Sequence, residues 1–189
     1  MKQLSAAVPR QALHTRKIEC TGYQREDGLW EVEGRISDVR TWDQTPIHSA
    51  RPRPAGEPIH LMSLRLTLDD RFLIVGAEAV THQAPFVDCD GINDSYTQLV
   101  GLRIEAGFSQ AVRTRFRGVE GCTHLTELLG PIATTALQLI RPILSRKRIA
   151  NGEPAPDEGP KPAMLDSCHG WRRGAEPAVI RWGKVGGGD

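Results

Sequence analysis

The chain reads as an α+β protein: an antiparallel sheet of about four strands, two or three helices on one face, and a tethered C-terminal segment. Three observations predict this. Apolar residues alternate with a period of two through residues 15–81, they recur at three and four residues after about residue 90, and a Pro/Gly-rich run follows residue 150.

The elements follow in order. Residues 1–14 carry no apolar periodicity and read as a flexible N-terminus. Strands over 16–23 and 29–39 are joined across Arg25-Glu26-Asp27-Gly28, where Asp-Gly suits the positive φ of a hairpin turn. On the second strand Trp30, Val32, Gly34 and Ile36 share one face, and Leu29, Glu31, Glu33 and Arg35 the other, so one side is expected buried and one wet. Residues 45–58, with four prolines and a glycine, predict an irregular surface loop in which Arg51 and Arg53 are solvated. Apolar runs over 59–68 and 72–81, separated by Asp69-Asp70-Arg71, predict a second hairpin.

Helices come next. Asn93 or Asp94 suits a cap for a helix carrying Tyr96, Leu99, Val100 and Arg103 on one face, with Gly107 as its stop. Arg113, Arg115 and Arg117 around Phe116 alternate as on a strand edge. The longest helical pattern then runs through Leu125, Leu128, Leu129, Ile132, Ala136, Leu139, Ile140 and Ile143, where Gly130-Pro131 and Pro142 are expected to kink or divide it. This gives a core domain over 15–150, a linker over 151–163 and a C-terminal segment over 164–189.

Composition narrows the function classes. Lys plus Arg number 24 against 23 Asp plus Glu, a balance that gives no general drive towards nucleic acid or an anionic membrane. No stretch has the apolar core of a signal peptide or the roughly 18 apolar residues of a membrane span, so a cytoplasmic protein is expected. Walker-type phosphate loops, Gly-x-Gly-x-x-Gly and Gly-x-Ser-x-Gly are all missing, which removes the usual warrants for nucleotide hydrolysis, dinucleotide chemistry and serine esterases. The arginine clusters read as solvated faces, leaving room for a protein partner of unknown kind.

Four cysteines in a reducing compartment point away from structural disulfides and towards metal, redox chemistry or plain burial. Cys122 and His124 stand at the start of the long helix, where unpaired N–H groups and the helix dipole favour thiolate. Cys89 lies in a loop between Asp88 and Asp90, and Cys168 beside His169 near the C-terminus. Brought together by folding, Cys89, Cys122 and Cys168 would make a soft site for zinc or an iron–sulfur cluster, with His124, His169 or Asp90 as a fourth donor. A second reading makes Cys122 the nucleophile of a thiol enzyme. Residues two apart on a helix diverge, so its base would be more distant, such as His60 or His169. A third leaves the cysteines buried in an interaction module. His60, opening a strand after Gly56-Glu57-Pro58, reads as a loop residue or a ligand, and His14, His48 and His82 as exposed.

Several blocks resemble a bacterial family of unknown function: residues 23–34 (YQREDGLWEVEG), Gly56-Glu57-Pro58-Ile59-His60, Ala84-Pro85-Phe86 with Cys89, residues 121–129 (GCTHLTELL), and Asp166-Ser167-Cys168-His169. The likeness implies no activity. The order Cys89-Asp90, Gly121-Cys122, Cys168-His169 more distantly resembles iron–sulfur scaffolds of the NifU type, which implies cluster or metal binding at those cysteines. This chain departs from that pattern in the residues after the first cysteine, in the reversed Cys-His pair, and in its Pro-rich linker.

Overall fold

A computed structural model describes residues 3–45, 52–153 and 164–183. It divides into two compact units, Met1–Ile140 and Arg141–Asp189. The first holds the sheet: β1 (His14–Gln24), β2 (Trp30–Arg40), β3 (Pro58–Leu68) and β4 (Ile74–Gln83) form an antiparallel meander in the order β1-β2-β3-β4. A 3₁₀ segment, Val87–Leu99, then leads to α1 (Phe108–Arg115) and α2 (Thr123–Ala150). The α+β class and the four-stranded sheet are as the alternation predicts.

The faces also fall as the pattern requires. Trp30, Val32 and Ile36 of β2 are fully buried, and Met62, Leu64, Leu66 and Leu68 extend that inner face across β3. Cross-strand register stacks these residues in rows, among them Ile18, Ile36 and Met62, then Cys20, Gly34 and Leu64. The apolar stripe of α2 covers the rows, with Leu125, Leu128, Leu129, Ile132, Ala136 and Ile140 buried. A Cβ on Gly34 would lie 2.7 Å from Cδ1 of Ile132, so the helix packs as closely as it does because that residue has no side chain.

Four expectations are corrected. The segment over 113–117 belongs to α1 and its end, not to a strand: Phe108, Val112 and Phe116 are buried at a four-residue spacing, which leaves the arginines on the outer side. Gly107 begins that helix instead of ending the one before, and the 3₁₀ segment buries Tyr96 and Leu99 but leaves Val100 exposed. Pro131 and Pro142 do not divide α2, since the long buried stripe outweighs the backbone bonds they remove. Arg53 is also not solvated: it is 9% exposed, and its guanidinium donates to the carbonyls of Pro58 and Ala84 while its backbone bridges Gln44. Residues 46–51 of that loop, with His48 and Arg51, lie outside the described residues, as do 154–163 of the expected linker.

Within α2, 28 residues long, an 18-residue stretch reaches a mean hydropathy of 1.2, enough by length and composition alone to cross a membrane, yet the apolar stripe of the helix lies against the sheet. The second unit holds the last turns of α2, a turn at His169–Trp171, and α3 (Glu176–Trp182), with the rings of Trp171 and Trp182 5.1 Å apart.

Candidate metal centre

The inner face of the sheet changes character at one end. Beyond the row of Ile18, Ile36 and Met62, the next row is Arg16 on β1, Asp38 on β2 and His60 on β3, each directly opposite its neighbour. Asp38 continues the buried alternation of β2 and is 1% exposed. A register shift follows it at Val39, a bulge of the kind that re-aims side chains at a sheet end.

Such a buried carboxylate requires partners, and Asp38 has four. Arg16 grips both oxygens, Nε to Oδ1 and Nη2 to Oδ2 at 2.8 Å each. His14 Nε2 lies 3.2 Å from Oδ1, His60 Nδ1 3.0 Å from Oδ2, and His124 Nε2 3.5 Å from Oδ2. Arg16 also pairs with Glu127 of α2, tying the helix to the edge strand.

The helix supplies the roof. Cys122 precedes the first turn of α2, and its carbonyl accepts the N–H of Thr126. Buried Tyr96 sits beneath this corner. Its hydroxyl accepts the N–H of Cys122 at 3.0 Å and lies 2.9 Å from the Cys122 carbonyl and 2.7 Å from the Thr126 hydroxyl. The Tyr96 ring stacks on Phe116 at 4.5 Å. Gly121 is required here, because a Cβ would meet the Phe116 carbonyl at 2.5 Å. So held, Cys122 Sγ stands 3.9 Å from His124 Nδ1 and 3.9 Å from Met62 Sδ. The His60 and His124 rings stack with centroids 3.6 Å apart.

Burial and mutual proximity decide the protonation of these rings. Desolvation, reinforced by the neighbouring His124, pushes His60 down to about 4 against the pull of Asp38. His124 is lowered as well, by burial and by Arg16. Burial alone would raise Asp38, but hydrogen bonds from Arg16 and His14 and the Arg16 charge hold it well below the usual carboxylate range. At neutral pH the site therefore holds one carboxylate and two uncharged imidazoles.

Asp38, His60 and His124 each offer a ligand atom, and all of these atoms lie within 4.8 Å of one another, so the three could hold a metal ion. Both imidazoles turn one nitrogen to Asp38. The other nitrogen of His124 faces Cys122. Above them opens a cleft of about 540 Å³, walled by Met62, Pro85, Phe86, Cys89, Ile92, Val119 and Cys122.

The cysteine-centred site is corrected accordingly. Cys89 and Cys122 do line one cleft with His124, but no cysteine belongs to the metal-competent cluster among the described residues. Asp90 is exposed and outside the cleft lining. Cys168 and His169 belong to the second unit, where both are exposed. His60 is a strand residue and not part of a loop, and His14 contacts Asp38 in spite of its exposure. The objection that residues 122 and 124 diverge fails because Cys122 precedes the helix. Asp38 was missed, although one signal was there: a carboxylate in phase with Trp30, Val32, Gly34 and Ile36 falls on the buried face.

A family model described as "Protein of unknown function (DUF2889)" matches residues 14–138, and the chain belongs to that family. No curated protein and no solved structure matches, so the likeness to NifU-type scaffolds rests on residue order alone.

Proposed function

We propose that this member of the DUF2889 family is a metal-binding protein whose centre takes zinc or a similar borderline-soft divalent ion at the floor of the cleft. The carrying observation is the Asp38, His60, His124 cluster, with ligand atoms within 4.8 Å. Neutral imidazole is the ligating form, and the lowered His60 and His124 supply it at physiological pH without loss of a proton. Asp38 is the anionic member of that set, and Arg16, bonded to both of its oxygens, fixes it as an outer partner fixes a ligating carboxylate. Cys122, 3.9 Å from His124, and Cys89 line the same cleft and offer soft groups beside the cluster to an exchanging ion. The open cleft leaves room for a further ligand, which suits an accessory or exchange role better than a closed structural site.

Elemental analysis of the anaerobically purified full chain tests this. Near-stoichiometric zinc or iron is expected, lost in the double variant His60→Ala/His124→Ala and weakened in Cys122→Ser. Wild-type protein that neither carries such a metal nor binds added zinc overturns it.

A second reading has its own observation. Cys122 Sγ, His124 Nδ1, His124 Nε2 and Asp38 Oδ2 form a thiol–imidazole–carboxylate line with separations of 3.9 and 3.5 Å, the order used by thiol enzymes. Rapid alkylation of Cys122 in chelator-treated protein, abolished by His124→Ala, would favour it. The two readings separate at His60, which only the metal centre needs.

A further inference from the structure

The margins of the sheet differ. The 3₁₀ segment packs against β4, whereas β1 is the other edge and pairs with β2 along all 11 of its residues without a bulge. Hydrogen bonds at the two ends of this hairpin, Arg25 N–H to the Leu29 carbonyl and Thr41 N–H to the Leu13 carbonyl, fix its phase. Odd-numbered residues of β1 therefore bond to β2, and His14, Arg16, Ile18, Cys20 and Gly22 turn their N–H and C=O groups outward. Of the devices that blunt such an edge, β1 lacks a proline, a bulge and a short span and carries only charges, Lys17 and Glu19 outward and Arg16 inward, the last already paired with Asp38.

We propose that β1 pairs antiparallel with β1 of a second copy of this chain, about a two-fold axis at Ile18. Charge favours this register, in which both charged residues meet an opposite charge. With Ile18 opposite Ile18, each Lys17 faces Glu19 of the other copy, and the Lys17–Glu19 ion pair within each strand, 2.8 Å, becomes a ladder of four alternating charges. Centring the axis on Glu19 would set Glu19 against Glu19, and centring it on Lys17 would set Lys17 against Lys17. At the Ile18 register the outward-turned backbone groups of Ile18 meet each other, as do those of Arg16 and Cys20, and the half-buried Ile18 side chains meet on the inner face. The product is one eight-stranded sheet with both Arg16, Asp38, His60 rows on the same face. The pairing does not depend on metal binding.

Sedimentation equilibrium of the full chain tests it. A dimer is expected, and Lys17→Glu or Glu19→Lys should each weaken it by at least about tenfold, because each sets like charges opposite one another. The double variant K17E/E19K should restore it. Both side chains are largely exposed, 72% and 61%, so circular dichroism of every variant should match the wild type. A wild type that stays monomeric to about 100 µM, or a dimer indifferent to the single changes or not rescued by the double, overturns the proposal.

Discussion

The two ends of the inner sheet face are built by the same register and do opposite work. Under the body of α2, rows such as Gly34 with Leu64 and Val32 with Leu66 are buried, Ile132 sits directly over Gly34, and Leu128 and Leu129 are buried beside it in an apolar interface that holds the fold together. Under its first turn the row is Arg16, Asp38 and His60, capped by His124 and Cys122. The alternation does not change between the ends; only the residue types do. Burial at the dry end lowers the free energy of the folded chain, while burial at the polar end is offset by bonds that must all be made at once. A polar row stands here where apolar residues of similar size would pack, and the proposed metal centre rests on that row.

The contrast is broken most strongly at the dry end. Leu128→Ala should cost about 3 kcal/mol in urea unfolding while leaving the zinc affinity of the folded protein unchanged. A similar total is at stake in pH. Because His60 is held down to about 4, the unfolded chain takes up a proton there between roughly pH 6.5 and 4 that the folded chain refuses. With chelator present, stability should be fully developed above about pH 6.5 and decline by about 3 kcal/mol as the pH falls to 4, and His60→Gln should flatten that slope. Asp38, lowered, keeps its contribution throughout this window and loses it only at more acid pH.

Smaller effects sharpen the polar end. Asp38→Asn should cut zinc affinity by at least about 10-fold, since it removes the anionic member of the ligand set; equal affinity by calorimetric titration would show that Asp38 serves only the fold. Tyr96→Phe removes the hydroxyl that holds the Cys122 backbone and should cost about 1–2 kcal/mol. It should also change the alkylation rate of Cys122, whereas loss of stability alone would leave that rate in the folded protein unaltered.

The dry end was legible in the sequence and the polar end only half so. Trp30, Val32 and Ile36 announce a buried face because their alternation is apolar, and the stripe from Leu125 to Ile140 announces what covers it. Asp38 and His60 obey the same phase, but a charged residue in an apolar register reads as the end of the pattern. Only pairing between strands 22 residues apart shows that each satisfies the other. Cys122 and His124 were visible as a corner at a helix start, because that signal is local. Tyr96, which positions the corner from 26 residues away, looked like an ordinary apolar helix residue. The arginines over 113–117 misled because three alternating charges fit a strand as well as a helix, and Phe108 and Val112 decide between them through burial.

The most direct test measures stability and zinc affinity on one protein, the double variant His60→Leu/His124→Leu, beside the wild type. If the polar row is kept for a ligand, the variant should be at least as stable as the wild type without metal and should bind zinc at least about 100-fold more weakly. A variant that loses several kcal/mol of stability, paired with a wild type that shows no zinc affinity, would mean that the row is a structural element and that the metal centre does not exist.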